Sequence, residues 1–256
     1  MEQDSAVVSY RLFTNADLKP INSVCSSAKI IRDKYTLPWN DLGQRMLPNS
    51  VFKEFNTHMV QLEDEFNVAV MEMEKRYPQI LQDAENRLNG KFDRSYFPDR
   101  ISERFEFKLE VSPMPTSEGL RINTLSDEEL DNLRTERDKE TMEKIKKSAT
   151  NVVERMMEAL DILLHGTNGE GGLMNPDARF HQTSIDRVVD ILDLAPSLNL
   201  LGNPQLNELV EKVKGHLKPE NLNANEIRKS EQIRDQVKCD SIQAVCAIQE
   251  AMNGSF

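Results

Sequence analysis

Apolar residues recur three and four positions apart along much of the chain, which is the spacing of an amphipathic helix. The first stripe begins at Phe52 and predicts a helix that reaches Gly90, with a kink at Pro78. Its regular alternation of steps of three and four is the heptad pattern of a coiled-coil seam. The stripe consists of Phe52, Phe55, Met59, Leu62, Phe66, Ala69 and Met73.

A second apolar stripe follows a helix start signal at Ser126. Glu129 stands three residues later, which predicts a capping box, and the helix should end at Gly166. Each of the two helices would be about 38 residues and about 57 Å long. Two matched amphipathic helices joined by a compact insert predict an antiparallel hairpin over residues 51–165, in which each seam covers the other. The alternative is a seam that faces a second copy of the chain.

The insert between these helices, about residues 92–125, has a different period. Residues 104–111 read RFEFKLEV, in which apolar and charged residues alternate as they do in a half-buried strand. Phe105, Phe107 and Leu109 should share one face, and a turn leads to a second candidate strand at 120–125. This pattern predicts a small β-hairpin at the tip of the helical hairpin. Its apolar face is a candidate surface for binding a partner protein.

The remaining segments complete the domain organisation. Residues 1–50 form an N-terminal segment, and the glycine cluster within residues 166–178 predicts a flexible linker. Start and stop signals at Pro196, Asn203 and Asn223 indicate a C-terminal unit of three short helices over residues 179–256. The predicted fold class is mainly α (α+β): a long antiparallel helical hairpin with a β-hairpin insert at its tip and a C-terminal helical unit.

The chain's single tryptophan lies in the stretch TLPWNDLGQRMLP, Thr36 to Pro48. Asp41 and Arg45 are four positions apart and would pair if the stretch formed a helical turn. On one interpretation Trp39, Leu42 and Leu47 anchor the stretch onto the adjacent helical seam. On the other, Trp39, Asp41 and Arg45 form a docking epitope for a partner.

Composition and charge narrow the classes of function. The 256 residues carry a formal net charge of −11, which disfavours nucleic-acid binding unless basic residues gather on one face. The alternative function, a nucleic-acid-binding protein of replication or recombination, would use Phe97 and Arg100 to stack on bases, and Lys144, Lys146 and Lys147 to follow the phosphates. No stretch has the apolar length of a membrane span, and the beginning of the chain does not resemble a signal peptide, so we expect a cytosolic protein without membrane contact.

Residues that commonly carry catalysis are present but dispersed. The four histidines fall in four different predicted elements, and the three cysteines are too far apart in the predicted structure to share a metal ion. The glycine cluster has no lysine and lacks the pattern of a phosphate-binding loop. We therefore expect no enzyme activity, no cofactor and no metal. The remaining alternative is an enzyme with an unfamiliar site that combines His181 with carboxylates of another helix.

The order of several short motifs resembles a family of uncharacterised proteins from tailed bacteriophages and mobile elements, known only as a domain of unknown function. The motifs cover nearly the whole chain: TLPWNDLGQRMLP at Thr36 to Pro48, Phe97-Pro98, Pro113 with Pro115, RINTLSDEE at Arg121 to Glu129, and a late PSLNLLGNP at Pro196 to Pro204. Members of that family resemble companions of MoxR-type AAA+ ATPases and of von Willebrand factor A-like proteins. The resemblance implies a location in the cytoplasm of the infected bacterial host and transfers no catalytic residue.

The sequence thus favours a non-enzymatic phage protein that acts through protein–protein interaction. The resemblance implies an adaptor or a substrate of an AAA+ remodelling ATPase. Homo-oligomerisation is compatible with the exposed seams, whereas nucleic acid is the less favoured partner.

Overall fold

The structure is a computed structural model that describes residues 13–40, 42–114, 117, 126–169, 171–177 and 180–253. In these residues the chain forms seven α-helices and one antiparallel pair of strands, which confirms a mainly α fold with a small β-hairpin. None of the described helices is long and apolar enough to cross a membrane. The elements are α1 (Asn15–Tyr35), β1 (Leu37–Pro38), β2 (Arg45–Met46), α2 (Phe52–Leu88), α3 (Asp127–His165), α4 (Gln182–Leu198), α5 (Pro204–Leu217), α6 (Ala224–Lys229) and α7 (Glu231–Asn253).

The chain divides into two compact units. Unit 1 consists of Met1–Asp33 and Lys53–Ser112, and unit 2 of Lys34–Phe52 and Pro113–Phe256. The two long helices, predicted as one hairpin, therefore belong to different units. What packs against α3 in unit 2 is α4 and α7, because these helices offer the apolar faces that bury its C-terminal half.

The apolar stripe of α2 departs from the predicted heptad. Val70 is buried where the heptad placed Ala69, and Phe52 is 43% exposed. The observed steps of three and four average about 3.6 residues, the period of a straight helix, so the stripe does not need to supercoil. The buried residues are Phe55, Met59, Leu62, Phe66, Val70, Met73, Tyr77, Ile80 and Ala84.

Both predicted ends of α3 are confirmed. The Ser126 hydroxyl accepts a hydrogen bond from the Glu129 backbone N–H, and the Glu129 carboxylate accepts one from the Ser126 N–H at 2.9 Å. The helix ends at Gly166 with φ +76°. Burial is uneven along the helix: no residue of 127–147 is buried, whereas eight residues from Ser148 to Leu164 are.

The predicted glycine-rich linker is an ordered loop wherever the structure describes it. The Gly171, Leu173 and Met174 N–H groups donate to the last carbonyls of α3 at 2.8–3.0 Å, and Leu173 is only 2% exposed. Gly172 has φ +70°, and a Cβ there would lie 2.4 Å from the Leu164 carbonyl oxygen. Glycine is thus required for close approach, and the segment caps the helix instead of swinging freely.

The β-hairpin lies elsewhere than predicted. β1 and β2 pair Leu37 with Met46 and Pro38 with Arg45, inside the tryptophan-containing stretch. Residues 105–114, which contain most of the predicted strand and the start of its turn, belong to no helix or sheet, and the second predicted strand, 120–125, lies outside the described residues. The prediction was wrong here because the alternating apolar residues lie along a helix surface, as described below.

The C-terminal unit contains four helices and not three. Asn203 caps α5 by accepting from the Gln205 N–H, and Asn223 caps α6 by accepting from the Asn225 and Glu226 N–H groups, as their positions predicted. The predicted last helix is broken at Ser230, whose hydroxyl accepts from the Ile233 N–H and so begins α7. In unit 2, the helices α3, α4, α5, α6 and α7 share one hydrophobic core, which also includes Leu37 and Met46 of the β-hairpin.

Candidate interaction surface

Residues 97–112, which we call the return segment, belong to unit 1, and the part up to Phe107 runs back along α2. The Tyr77 hydroxyl donates to the Pro98 carbonyl oxygen at 2.7 Å, and the Glu74 carboxylate accepts from the Ser102 N–H at 2.7 Å. Further toward the start of α2, the Phe66 and Phe107 rings have centroids 5.6 Å apart. The contacts move down the helix as the segment advances, so the two run antiparallel. The return segment thus covers part of the apolar stripe of α2.

An aromatic cluster fixes the beginning of the return segment. Phe97 is 4% exposed, stacks on Phe92 at 5.1 Å and meets Phe13 edge-on at 6.1 Å. The Arg94 guanidinium donates to the Phe97 carbonyl oxygen at 2.6 Å, and Ile101 is buried nearby in sequence at 2% exposure. Phe97 is therefore a core residue in this structure, and its alternative role in stacking on bases stays a prediction.

The contacts that Glu74 and Tyr77 make with the return segment are accompanied by shifts in the pKa of both side chains. The Ser102 N–H bonded to Glu74 holds the pKa of that carboxyl below its ordinary range, which favours the charged acceptor that the contact needs. Desolvation raises the pKa of Tyr77, which keeps its hydroxyl a donor to Pro98. Neither Glu74 nor Tyr77 was singled out by the sequence pattern, although both lie on or beside the apolar stripe.

Beyond Phe107 the return segment loses contact with the core. Phe105 and Phe107 are half-buried, whereas Leu109 and Val111 are 40% and 57% exposed. Among the described residues, no backbone hydrogen bond involves residues 106–112. The segment thus combines a backbone outside helix and strand with two exposed apolar side chains. Phe107 packs on Phe66 of α2 instead of joining a sheet, whereas Leu109, predicted to share its buried face, is 40% exposed.

The tryptophan-containing hairpin is fastened to α3 in unit 2. Thr36 is 3% exposed, and two arginines donate to its carbonyl oxygen: Arg155 of α3 at 2.7 Å and Arg45 at 3.0 Å. The Arg45 Nε also donates to the Thr36 hydroxyl at 2.6 Å. Asp41, the predicted partner of Arg45, lies outside the described residues. Arg45 is therefore engaged within the fold.

Trp39 lies against the core of unit 2 and is partly buried. The Lys144 ammonium sits 4.9 Å from the centroid of its ring, a cation–π contact between the hairpin and α3. These contacts support the interpretation of Trp39 as an anchor. Leu42, predicted as a second anchor, is 90% exposed at the turn of the hairpin, so that part of the prediction is wrong.

The residues considered for nucleic-acid binding belong to two different units. Phe97 and Arg100 belong to unit 1, whereas Lys144, Lys146 and Lys147 belong to unit 2. Arg100, Lys146 and Lys147 are exposed.

Unit 1 contains an open groove of about 650 Å³. It is lined by Arg94, Ser95, Phe97, Pro98, Asp99, Glu103 and Arg104.

Tyr96, 68% exposed, adjoins this groove in sequence. Its ring is available for stacking. Asp99 and Glu103 balance the two groove arginines, so the lining has no net charge.

Within the described part of the chain, no group of three or more histidine, cysteine or acidic side chains is arranged to hold a metal ion.

Comparison of the chain with protein-family models, with curated proteins and with solved structures finds no match.

Proposed function

We propose that this chain is a non-enzymatic protein that acts by binding other proteins through the return segment. One observation carries the proposal: in the described residues, 106–112 lie outside helix and strand and have no backbone hydrogen bond, and the side chains of Leu109 and Val111 are exposed. A segment of this kind binds by adding a strand, in which backbone hydrogen bonds provide affinity and alternate side chains provide specificity.

The anchoring of the segment supports this role. The contacts from Tyr77, Glu74 and Phe66 hold residues 98–107 against a long helix. A segment that is already extended and held loses less conformational entropy on binding than a free loop does, so more of the contact energy is available for affinity. Burial of the apolar side chains adds roughly 25 cal/mol for each Å² removed from water.

The tryptophan-containing hairpin is the weaker candidate. Arg45 and Trp39 are committed to contacts within unit 2, although the exposed Leu42 at the turn offers a small second contact. We therefore assign Trp39 and Arg45 mainly to holding the hairpin on α3.

The resemblance to uncharacterised phage proteins extends the proposal. It supports a role as an adaptor or substrate of a MoxR-type AAA+ ATPase in the cytoplasm of an infected bacterium. An extended, exposed apolar segment is a feature that a remodelling ATPase or its cofactor proteins are able to engage, and this is the surface on which we expect them to bind.

Affinity capture from infected cells tests the proposal. The tagged chain, the double variant Leu109→Asp with Val111→Asp, and the control Val68→Asp are compared with and without nuclease, and the bound proteins are identified by mass spectrometry. Val68 is a suitable control because it is 60% exposed on α2, outside the segment. We expect a defined protein that survives nuclease, is lost with the double variant and is retained with the control. Equal capture by all three proteins would contradict the assignment of the surface.

The groove beside Tyr96 favours a second candidate function, binding of single-stranded nucleic acid. Arg94 and Arg104 line the groove, and base stacking on an exposed aromatic ring typically contributes about 1–3 kcal/mol. The test is binding of a fluorescent oligonucleotide at increasing salt, with Tyr96→Ala as the variant. Binding that weakens steeply with salt and is lost in the variant would support this function. Absence of binding at low salt would remove it.

A further inference from the structure

The charged and apolar residues of the return segment are arranged symmetrically about Phe107. From Arg104 to Glu110 each position has its complement on the other side. Arg104 corresponds to Glu110, Phe105 to Leu109, and Glu106 to Lys108. Two such segments laid antiparallel about a two-fold axis through Phe107 would therefore set opposite charges opposite each other and apolar side chains opposite apolar ones.

We propose that two copies of this chain pair through residues 104–110 as an antiparallel two-stranded ribbon centred on Phe107. This inference rests on the proposed function, since it names the first partner of the same segment. Arg104 of one copy faces Glu110 of the other, Glu106 faces Lys108, and Phe107 faces its own counterpart on the axis.

The structure supplies what such a ribbon needs. In the described residues no backbone hydrogen bond involves residues 106–110, so their N–H and C=O groups are available for a ladder, whereas the Phe105 N–H donates to the Ser102 carbonyl oxygen at 3.3 Å. The charged side chains of Glu106, Lys108 and Glu110 are exposed, whereas Phe105 and Phe107 are half-buried, which is the two-faced pattern of a strand on a support. Phe66 of α2 provides that support, and a two-stranded ribbon requires it because it is only marginally stable alone in water.

Within one chain, Lys108 forms an ion pair with Glu110, and both side chains are largely exposed. An exposed pair of this kind contributes little to stability, so exchanging it for pairs across the ribbon costs little.

Charge also selects the register. Moving the axis to Lys108 places the Glu106 and Glu110 side chains of opposite copies together, and moving it to Glu106 places Arg104 opposite Lys108. Parallel in-register pairing sets every charge opposite its like. A shift of pairing by a single residue sets apolar residues opposite charged ones. The register about Phe107 avoids all of these conflicts over the seven residues.

The interface is small. Two seven-residue strands bury less than the roughly 1,600 Å² of a standard protein–protein interface, so we expect a dissociation constant in the micromolar range. Sedimentation of the full chain from about 1 to 200 µM should therefore show the average mass rising from 29.3 kDa toward twice that value. Amide hydrogen exchange of residues 105–109 should slow over the same range.

Charge reversals test the register. Glu106→Lys sets two lysines opposite each other, and Lys108→Glu sets two glutamates opposite each other, so each single variant should weaken dimerisation at least tenfold. The double variant restores opposite charges and should dimerise like the wild type. An equimolar mixture of the two single variants should also form a heterodimer. Glu63→Lys on the exposed face of α2 is the matched control and should not change the dissociation constant. Circular dichroism confirms that each variant keeps its helix content.

Each outcome decides the proposal. A wild-type chain that stays at 29.3 kDa over the whole range overturns it. Dimerisation that survives both single reversals shows that the copies meet elsewhere, and failure of the double variant to recover refutes the register. If the chain is monomeric but Leu109→Asp with Val111→Asp still loses captured proteins, the self-pairing falls and the proposed function stands. If the chain dimerises in this register but captures no other protein, the self-pairing stands and the proposed function falls.

Discussion

Replacement of Arg234 by methionine should destabilise unit 2 by about 3 kcal/mol. Arg234 is 9% exposed and lies on α7, where its guanidinium donates to four carbonyl oxygens of the loop after α3. The acceptors are Gly172 at 2.8 Å, Leu173 and Pro176 at 3.4 Å each, and Asn175 at a shorter distance. No carboxylate of the described residues forms an ion pair with it, so the loop carbonyls are what stabilise the buried charge.

The magnitude follows from the two short contacts. A hydrogen bond to a charged group contributes about 1.5–3 kcal/mol, and the two contacts at 3.4 Å contribute less because they are long. Methionine keeps the aliphatic packing but leaves buried carbonyls without a donor. It also removes the desolvation penalty of a buried charge, which offsets part of the loss. The sum is therefore nearer about 3 kcal/mol than the upper limit of about 6.

Urea denaturation followed by tryptophan fluorescence measures this effect. Trp39 is the single tryptophan and lies against the core of unit 2, so its emission reports on that unit. With an m-value of about 2–3 kcal/mol per molar urea, the midpoint should fall by about 1–1.5 M. The control is Arg228→Met on the exposed face of α6, which should change stability by less than about 0.5 kcal/mol. A midpoint no lower than in the control would refute the claim that Arg234 holds the loop.

Three further predictions follow from the same geometry. Gly172→Ala should cost about 2 kcal/mol or more, against about 1 for Gly169→Ala, which has a similar φ but open space around it; urea midpoints compare them. Ser126→Ala should cost about 1 kcal/mol, seen as faster hydrogen exchange confined to the first turns of α3, because those turns are exposed. In wild type, the Glu74 contribution is complete above the unfolded-state pKa, about 4.3, and is lost as pH falls through the lower folded-state value. Glu74→Gln should therefore show a flatter pH dependence of exchange at residues 101–105, and an unchanged dependence would contradict this.

The sequence predicted correctly those features of the structure that depend on residues close together in the chain. The capping box of Ser126 and Glu129, the caps at Asn203 and Asn223 and the end of α3 at Gly166 all involve groups within a few residues of one another. The apolar period likewise predicted α2 and α3, because a helix that buries one face must repeat its apolar residues at the helical period.

The sequence by itself therefore determined the long helices, the caps of α3, α5 and α6, and the alternating burial of residues 104–108. Only the tertiary structure decided what each apolar face meets. Phe107 packs on Phe66 instead of joining a sheet, α3 is buried by α4 and α7, and the glycine cluster is held by Arg234 from a helix some sixty residues away. The physical reason is that the period of apolar residues specifies which face must be buried but not what covers it. The partner of that face is selected by long-range packing and by hydrogen bonds to backbone carbonyl groups. Every residue has such a carbonyl group, so the sequence does not show which ones will be used.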